Sequence, residues 1–133
     1  MHIKIGIIGA RSRNSKEDFD KLVNFLEEYL SILEKGGSTF SFISGGCSKG
    51  GDRFAEIIAK ELDIPIEIFH PDVKDSKSKG EYAKACYARN ILIAKHSTEL
   101  IALVDSTVDK NKGGTNHTVR TFAQVHRKNA III

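Results

Sequence analysis

The sequence contains no tryptophan, only two cysteines and no long apolar run. Each shortage excludes something. Its three tyrosines and seven phenylalanines are not interleaved with Lys and Arg, so the chain lacks the pattern of a base-stacking nucleic-acid surface. Cys47 and Cys86 are too few for a disulfide framework and do not stand at metal-ligand spacing. A reducing cytoplasm is therefore the default expectation. No apolar run is long enough to cross a bilayer, and the N-terminus enters a strand-like run without a signal-peptide pattern. His2, His70, His96, His117 and His126 show no HExxH or paired spacing, so neither a metal nor a resident cofactor is expected. The formal net charge of +3 is compatible with a phosphorylated ligand and too weak to argue for DNA or RNA.

What is present is the composition of an ordinary globular chain, 41% hydrophobic and 28% charged. Its 133 residues predict one domain spanning 1–133. Short apolar runs at Ile3–Ile8, Thr39–Ile43, Ile64–Phe69, Glu99–Val104 and Ala130–Ile133 read as strands. Between them lie helical patterns. The first opens on a capping box, Ser15 with Asp18, carries Phe19, Leu22, Val23, Leu26, Leu30 and Leu33 inward, and stops at Gly36-Gly37. The second runs from about Asp52 to Leu62 with Phe54, Ile57, Ile58 and Leu62 inward, and Pro65 forbids its continuation. The third covers Glu81–His96 with Tyr82, Ala85, Cys86, Ile91 and Leu92 inward. The fourth covers Thr115–Arg127 with Val119, Phe122 and Val125 inward. Strict alternation predicts a single Rossmann-like, three-layer α/β domain: a mostly parallel five-stranded sheet with helices on both faces.

In such sheets a ligand binds outside the carboxyl ends of the strands, at the switch point of strand order. The loops after strands therefore carry the functional weight. The first offers Gly9, Ala10, Arg11 and Arg13. The second offers Ser44, Gly45, Gly46, Lys49, Gly50, Asp52 and Arg53 at a helix start. The last offers Lys112, Gly113, Gly114, Thr115, His117 and Thr118 at another. Glycines let backbone amides approach an anion, and a helix N-terminus adds unpaired donors and a favourable dipole. A tight strand-to-helix turn would use the same residues. Neither loop is GxGxxG or GxxxxGK[ST], which disfavours an ordinary dinucleotide site and a P-loop. Arg89-Asn90, inside a helical pattern, reads either as a solvated pair or as a guanidinium aimed across the crevice. Cys47 reads as a small turn residue, and Ser44 and Ser48 lack the setting of a hydrolase nucleophile.

The ordered set GGxxxGGDR after a strand, HPD, YARN and KGGTNHT resembles the SLOG superfamily. These are Rossmann-like proteins related to the DNA-processing Smf proteins and the Lonely Guy enzymes. Within the superfamily the chain is most similar to the small YspA-like branch, through IIGARS, SGGCSKGGDR, the Arg-Asn pair and Gly114-Thr115-Asn116-His117-Thr118. The resemblance implies a nucleotide or ADP-ribose-like ligand in the crevice and a homo-oligomer, dimer or tetramer. It also implies that Arg89 corresponds to an Arg that Lonely Guy enzymes use in cutting the N-glycosidic bond of nucleoside monophosphates. Their PGGxGTxxE motif is not matched: its Glu falls on Arg120 and its Pro on Lys112. A cation works against an oxocarbenium-like transition state. The expectation is thus a binding module, acting as sensor, carrier or sequestering protein. A phosphoribohydrolase with Arg89 and Asp52 as its catalytic candidates is the alternative. Single-stranded nucleic-acid binding, by analogy with Smf, is disfavoured.

Overall fold

A computed structural model describes all residues, 1–133. Strands β1 (His2–Gly9), β2 (Thr39–Ser44), β3 (Ile66–Ile68), β4 (Glu99–Leu103) and β5 (Ile131–Ile132) alternate with helices α1 (Lys16–Lys35), α2 (Gly51–Leu62), α3 (Lys79–His96) and α4 (Gly114–His126). The strands form one sheet in the order β3-β2-β1-β4-β5. Every neighbouring pair is parallel. The chain therefore winds outward from β1 to one edge, returns, and winds outward again from β4 to the other. This is the expected three-layer Rossmann-like architecture.

Alternating residues of the central strands divide the core. Ile5, Ile7, Phe42, Ile101 and Leu103 pack with Leu22 and Leu26 of α1 and with Phe54 and Ile58 of α2, in a cluster of 12 buried residues. The opposite side chains, Ile8, Ile43, Leu100 and Ala102, meet Ile93 and Ala94 of α3 and Phe122 of α4, in a cluster of 7. So α1 and α2 cover one face and α3 and α4 the other.

Local signals hold where the interaction is local. The Ser15 hydroxyl accepts the Asp18 amide at 3.0 Å, and the Asp18 carboxylate accepts the Ser15 amide at 3.3 Å. Gly36 caps the other end of α1. The third strand is shorter than expected, Ile66–Ile68, at the sheet edge. Helix α3 departs furthest. Its buried residues are Asn90, Ile93 and Ala94, whereas Tyr82 and Leu92, read as inward, are exposed. Leu62 and Val125 are exposed as well. Length explains α3. Eighteen residues make a helix of roughly 27 Å, whereas the five of β4 span about 17 Å. Since α3 ends beside the start of β4, its first turns overhang the carboxyl edge of the sheet. No core exists there for them to face.

Candidate functional site

The sheet's connections leave in opposite directions at the boundary between β1 and β4: α1 follows β1 to one face and α4 follows β4 to the other. A cleft of about 420 Å³ opens at that point, outside the carboxyl ends of the strands. Its floor is Ile8, Gly9 and Ala10 at the end of β1. One wall is the overhanging part of α3. The other is the start of α4 with the loop before it.

Of the residues singled out from sequence, Gly9, Ala10, Arg11, Asp52, Arg89 and Asn90 line this cleft, as do Gly113, Gly114, Thr115 and Thr118. Seven do not. Ser44 is buried and donates its hydroxyl to the Ile7 carbonyl at 3.0 Å. Lys49 and Arg53 are exposed outside the cleft. His117 lies behind Tyr87, with ring centroids 4.6 Å apart. Gly45, Gly46 and Gly50 have a different role, as does Gly51.

Those four glycines serve internal packing. A Cβ on Gly51 would stand 2.5 Å from the Ile8 carbonyl carbon, and one on Gly50 2.6 Å from the Ala10 oxygen. On Gly46 it would meet the His70 ring at 2.7 Å, and on Gly45 the Asp52 carboxylate at 2.8 Å. The start of α2 is thus pressed against the end of β1. Its loop is tied there by the Gly50 amide, which donates to Asn14 Oδ1 at 2.8 Å. The first glycine-rich loop is a packing device.

The second is open. A Cβ on Gly113 or Gly114 would find its nearest neighbours at 3.8 and 3.6 Å, an ordinary contact distance. No side chain caps α4, and its first turn holds no acidic residue. The amides of Gly114, Thr115 and Asn116 have no intrahelical acceptor, because the helix's own bonding starts at the His117 amide, which donates to the Gly113 carbonyl at 3.0 Å. Asn90 Nδ2 and Thr118 Oγ1 both donate to the Gly114 carbonyl, at 3.3 and 3.0 Å, and hold this first turn in place. Asn116 Nδ2 secures the preceding loop through the Lys112 carbonyl at 2.9 Å.

Charge is distributed around these amides. Arg11, Arg89 and Lys112 line the cleft with two carboxylates, Asp52 and Asp105. Arg89 is anchored: its Nε donates to Asn90 Oδ1 at 2.9 Å and its Nη1 to the carbonyls of Gly45 and Phe69. Arg11 is exposed, and interaction with Cys47 and then Tyr82 raises its guanidinium above its ordinary range. Burial pushes the Asp52 carboxyl up to about 6, against the pull of the Cys47 amide and the Arg89 charge. Asp105 is held at about 2 by the Thr107 hydroxyl and the Ser12 hydroxyl, which it accepts at 2.6 and 2.7 Å. It clasps the β1 loop to the β4 loop.

Arg13, grouped with Arg11 from sequence, is turned away. Its guanidinium bonds Asp18 at 2.8 Å and the carbonyls of Val104 and Ile133 at 2.9 and 2.7 Å. Tyr82, Ala83, Cys86, Tyr87 and Val108 line the cleft without having been singled out as site residues. The only sequence signal of the four on α3 is apolar helical spacing, which does not tell a core from a cleft, and Val108 stands in a loop with no pattern to mark it.

No group of three or more His, Cys, Asp or Glu side chains stands together as a metal site. No helix is long and apolar enough to cross a membrane. Fold and cleft together define a parallel, Rossmann-like α/β domain with an anion-compatible opening at its topological switch point. No protein-family model, curated protein or solved structure matches the chain.

Proposed function

We propose that this protein binds a phosphorylated, nucleotide-derived ligand, a nucleotide or an ADP-ribose-like molecule, as a sensor, carrier or sequestering module. The uncapped N-terminus of α4 carries the reading. Its free amides and the uncrowded Gly113-Gly114 border a cleft that also holds Arg11, Arg89 and Lys112. Phosphate oxygens suit such amides because the donors are prealigned and the dipole is favourable. The cleft's volume of about 420 Å³ lies within the usual range for small-ligand sites. The resemblance to the SLOG superfamily leads to the same ligand class and to a homo-oligomer, and the two unpaired cysteines to a reducing, cytoplasmic setting. Isothermal titration with nucleoside mono- and diphosphates and ADP-ribose tests the proposal. Saturable binding weakened by Gly114→Ala is expected, and a folded protein that binds none of them would overturn it.

One observation favours a second reading. Asp52 is a buried carboxyl at the cleft, raised to about 6 and close to Arg89, as an acid-base group of a nucleotide N-glycosidase would be. Against it, the Asp52 carboxylate accepts the Cys47 amide at 3.1 Å, and Arg120 is directed to the Lys110 carbonyl, outside the cleft. Incubation with nucleoside 5′-monophosphates, followed by chromatography for free base, separates the two. Base release abolished by Asp52→Asn would make the protein a hydrolase.

A further inference from the structure

Tyr82, Ala83, Cys86, Tyr87 and Asn90 recur along α3 at the spacing of a single helix face. Such a stripe ordinarily faces a core. Here the first four are not buried, and the space before them is the cleft. Tyr82 is 46% and Tyr87 42% exposed. None of the five carries a formal charge, whereas Arg11, Lys112 and the free amides of α4 border the same space from other elements. The outer part of the α3 wall is therefore aromatic and uncharged, with Arg89 at its inner end, and the facing elements carry Arg11, Lys112, the free amides and the carboxylates Asp52 and Asp105.

We infer that the α3 face is a stacking subsite for the aromatic base of the ligand, with Tyr87 and Tyr82 as its platform. This rests on the nucleotide reading above and adds to it how the base is recognised. Tyr87 is supported from behind by the His117 ring at 4.6 Å and 55°. Burial, with Arg120 second, lowers the pKa of that imidazole and favours its neutral form. Asn90 joins the two subsites, since its amide group bonds the Gly114 carbonyl. From Asn90 to Tyr82 is eight residues, roughly 12 Å of helix, a span that suits a nucleoside monophosphate lying along it.

The same bonds decide what the subsite can discriminate. Asn90 Nδ2 donates to Gly114 and its Oδ1 accepts from Arg89, so the amide plane is fixed by these two bonds and is not free to turn toward a base edge. Recognition is through the face of the ring. Stacking tolerates base identity, because every base has a π-face, and larger rings gain more. The subsite accepts purines and pyrimidines alike, with purines bound tighter.

Titration of AMP, UMP and ribose 5-phosphate into the full chain, Tyr87→Ala, Tyr87→Phe and the Tyr82→Ala/Tyr87→Ala pair tests the inference. AMP should bind at least about tenfold tighter than ribose 5-phosphate, with UMP between them. Tyr87→Ala should lose about tenfold in AMP affinity while its affinity for ribose 5-phosphate is unchanged, and Tyr87→Phe should retain both. Base stacking should also quench tyrosine fluorescence, which no tryptophan obscures in this chain. Equal AMP affinity in the wild type and the paired variant overturns the stacking subsite while leaving the nucleotide reading intact. A paired variant changed in oligomeric state and not in AMP affinity overturns it too, in favour of a subunit interface on α3. Failure of the wild type to bind AMP, UMP and ribose 5-phosphate overturns the stacking subsite, and the nucleotide reading falls with it if nucleoside diphosphates and ADP-ribose also fail to bind.

Discussion

Gly9 and Gly51 face each other so closely that a Cβ on Gly9 would stand 2.8 Å from the Gly51 nitrogen. The contact sets the start of α2 against the end of β1 and so fixes the floor of the cleft. Everything around Gly51 is backbone: Ile8 carbonyl carbon and oxygen and the Gly9 nitrogen, at 2.5 to 2.6 Å from an added Cβ. Main chain cannot rotate away as a side chain can. Gly51→Ala should therefore destabilise the fold by about 1–3 kcal/mol or more, read as a lower urea midpoint.

Gly114→Ala should behave in the opposite way. The added methyl meets only Asn90 Nδ2 at 3.6 Å, and a helical Ala is favoured over Gly by up to about 1 kcal/mol. Stability should be unchanged or slightly higher. Affinity for a phosphorylated ligand should fall, because the methyl occupies the approach to the free amides. Calorimetric titration beside a thermal melt reads both quantities.

Asp52 gives a pH signature. Its folded pKa, about 6, lies above the ordinary 3.8, so the native state holds a proton that the unfolded chain has already released between those values. Stability attributable to this group is complete below pH 4, declines as pH rises towards 6, and is level above that. The difference amounts to about 3 kcal/mol. Asp52→Asn should match the wild type in acid and exceed it near pH 7.5, as measured by urea unfolding across pH 4–8.

Arg13 is a structural tie that pattern alone would assign to the ligand. Its guanidinium bonds Asp18, Val104 and Ile133 and thus joins the β1 loop to β4 and the end of β5. Arg13→Ala should cost about 1.5–3 kcal/mol and speed amide exchange in β5, with little direct effect on ligand contacts. Arg11→Ala should do the reverse, weakening phosphate binding and leaving the melt nearly unchanged.

These contrasts mark where sequence reasoning stops. The capping box of Ser15 and Asp18 was legible because its partners lie three residues apart and the bonds are local. The parallel sheet was legible from alternation of strand and helix. The use of each glycine was not. Gly51 and Gly114 both open helices after a strand and differ only in what surrounds them, which is set by residues distant in sequence. Lys49 and Arg53 carry the right charge for the site, but they occupy the outer side of their turn. Tyr82 and Cys86 repeat at core spacing on a helix that outruns the sheet behind it. Periodicity reports that a face is apolar and is silent on whether protein or empty space stands opposite.

The division of the core has its own consequence. Twelve buried residues secure α1 and α2, whereas seven secure α3 and α4. The first turns of α3 contribute none of them. That segment is where hydrogen exchange should be fastest in the empty protein, since little burial opposes its opening. A molecule lodged against it would supply the missing interior, so that occupancy of the cleft is written directly into the folding cooperativity of one side of the sheet.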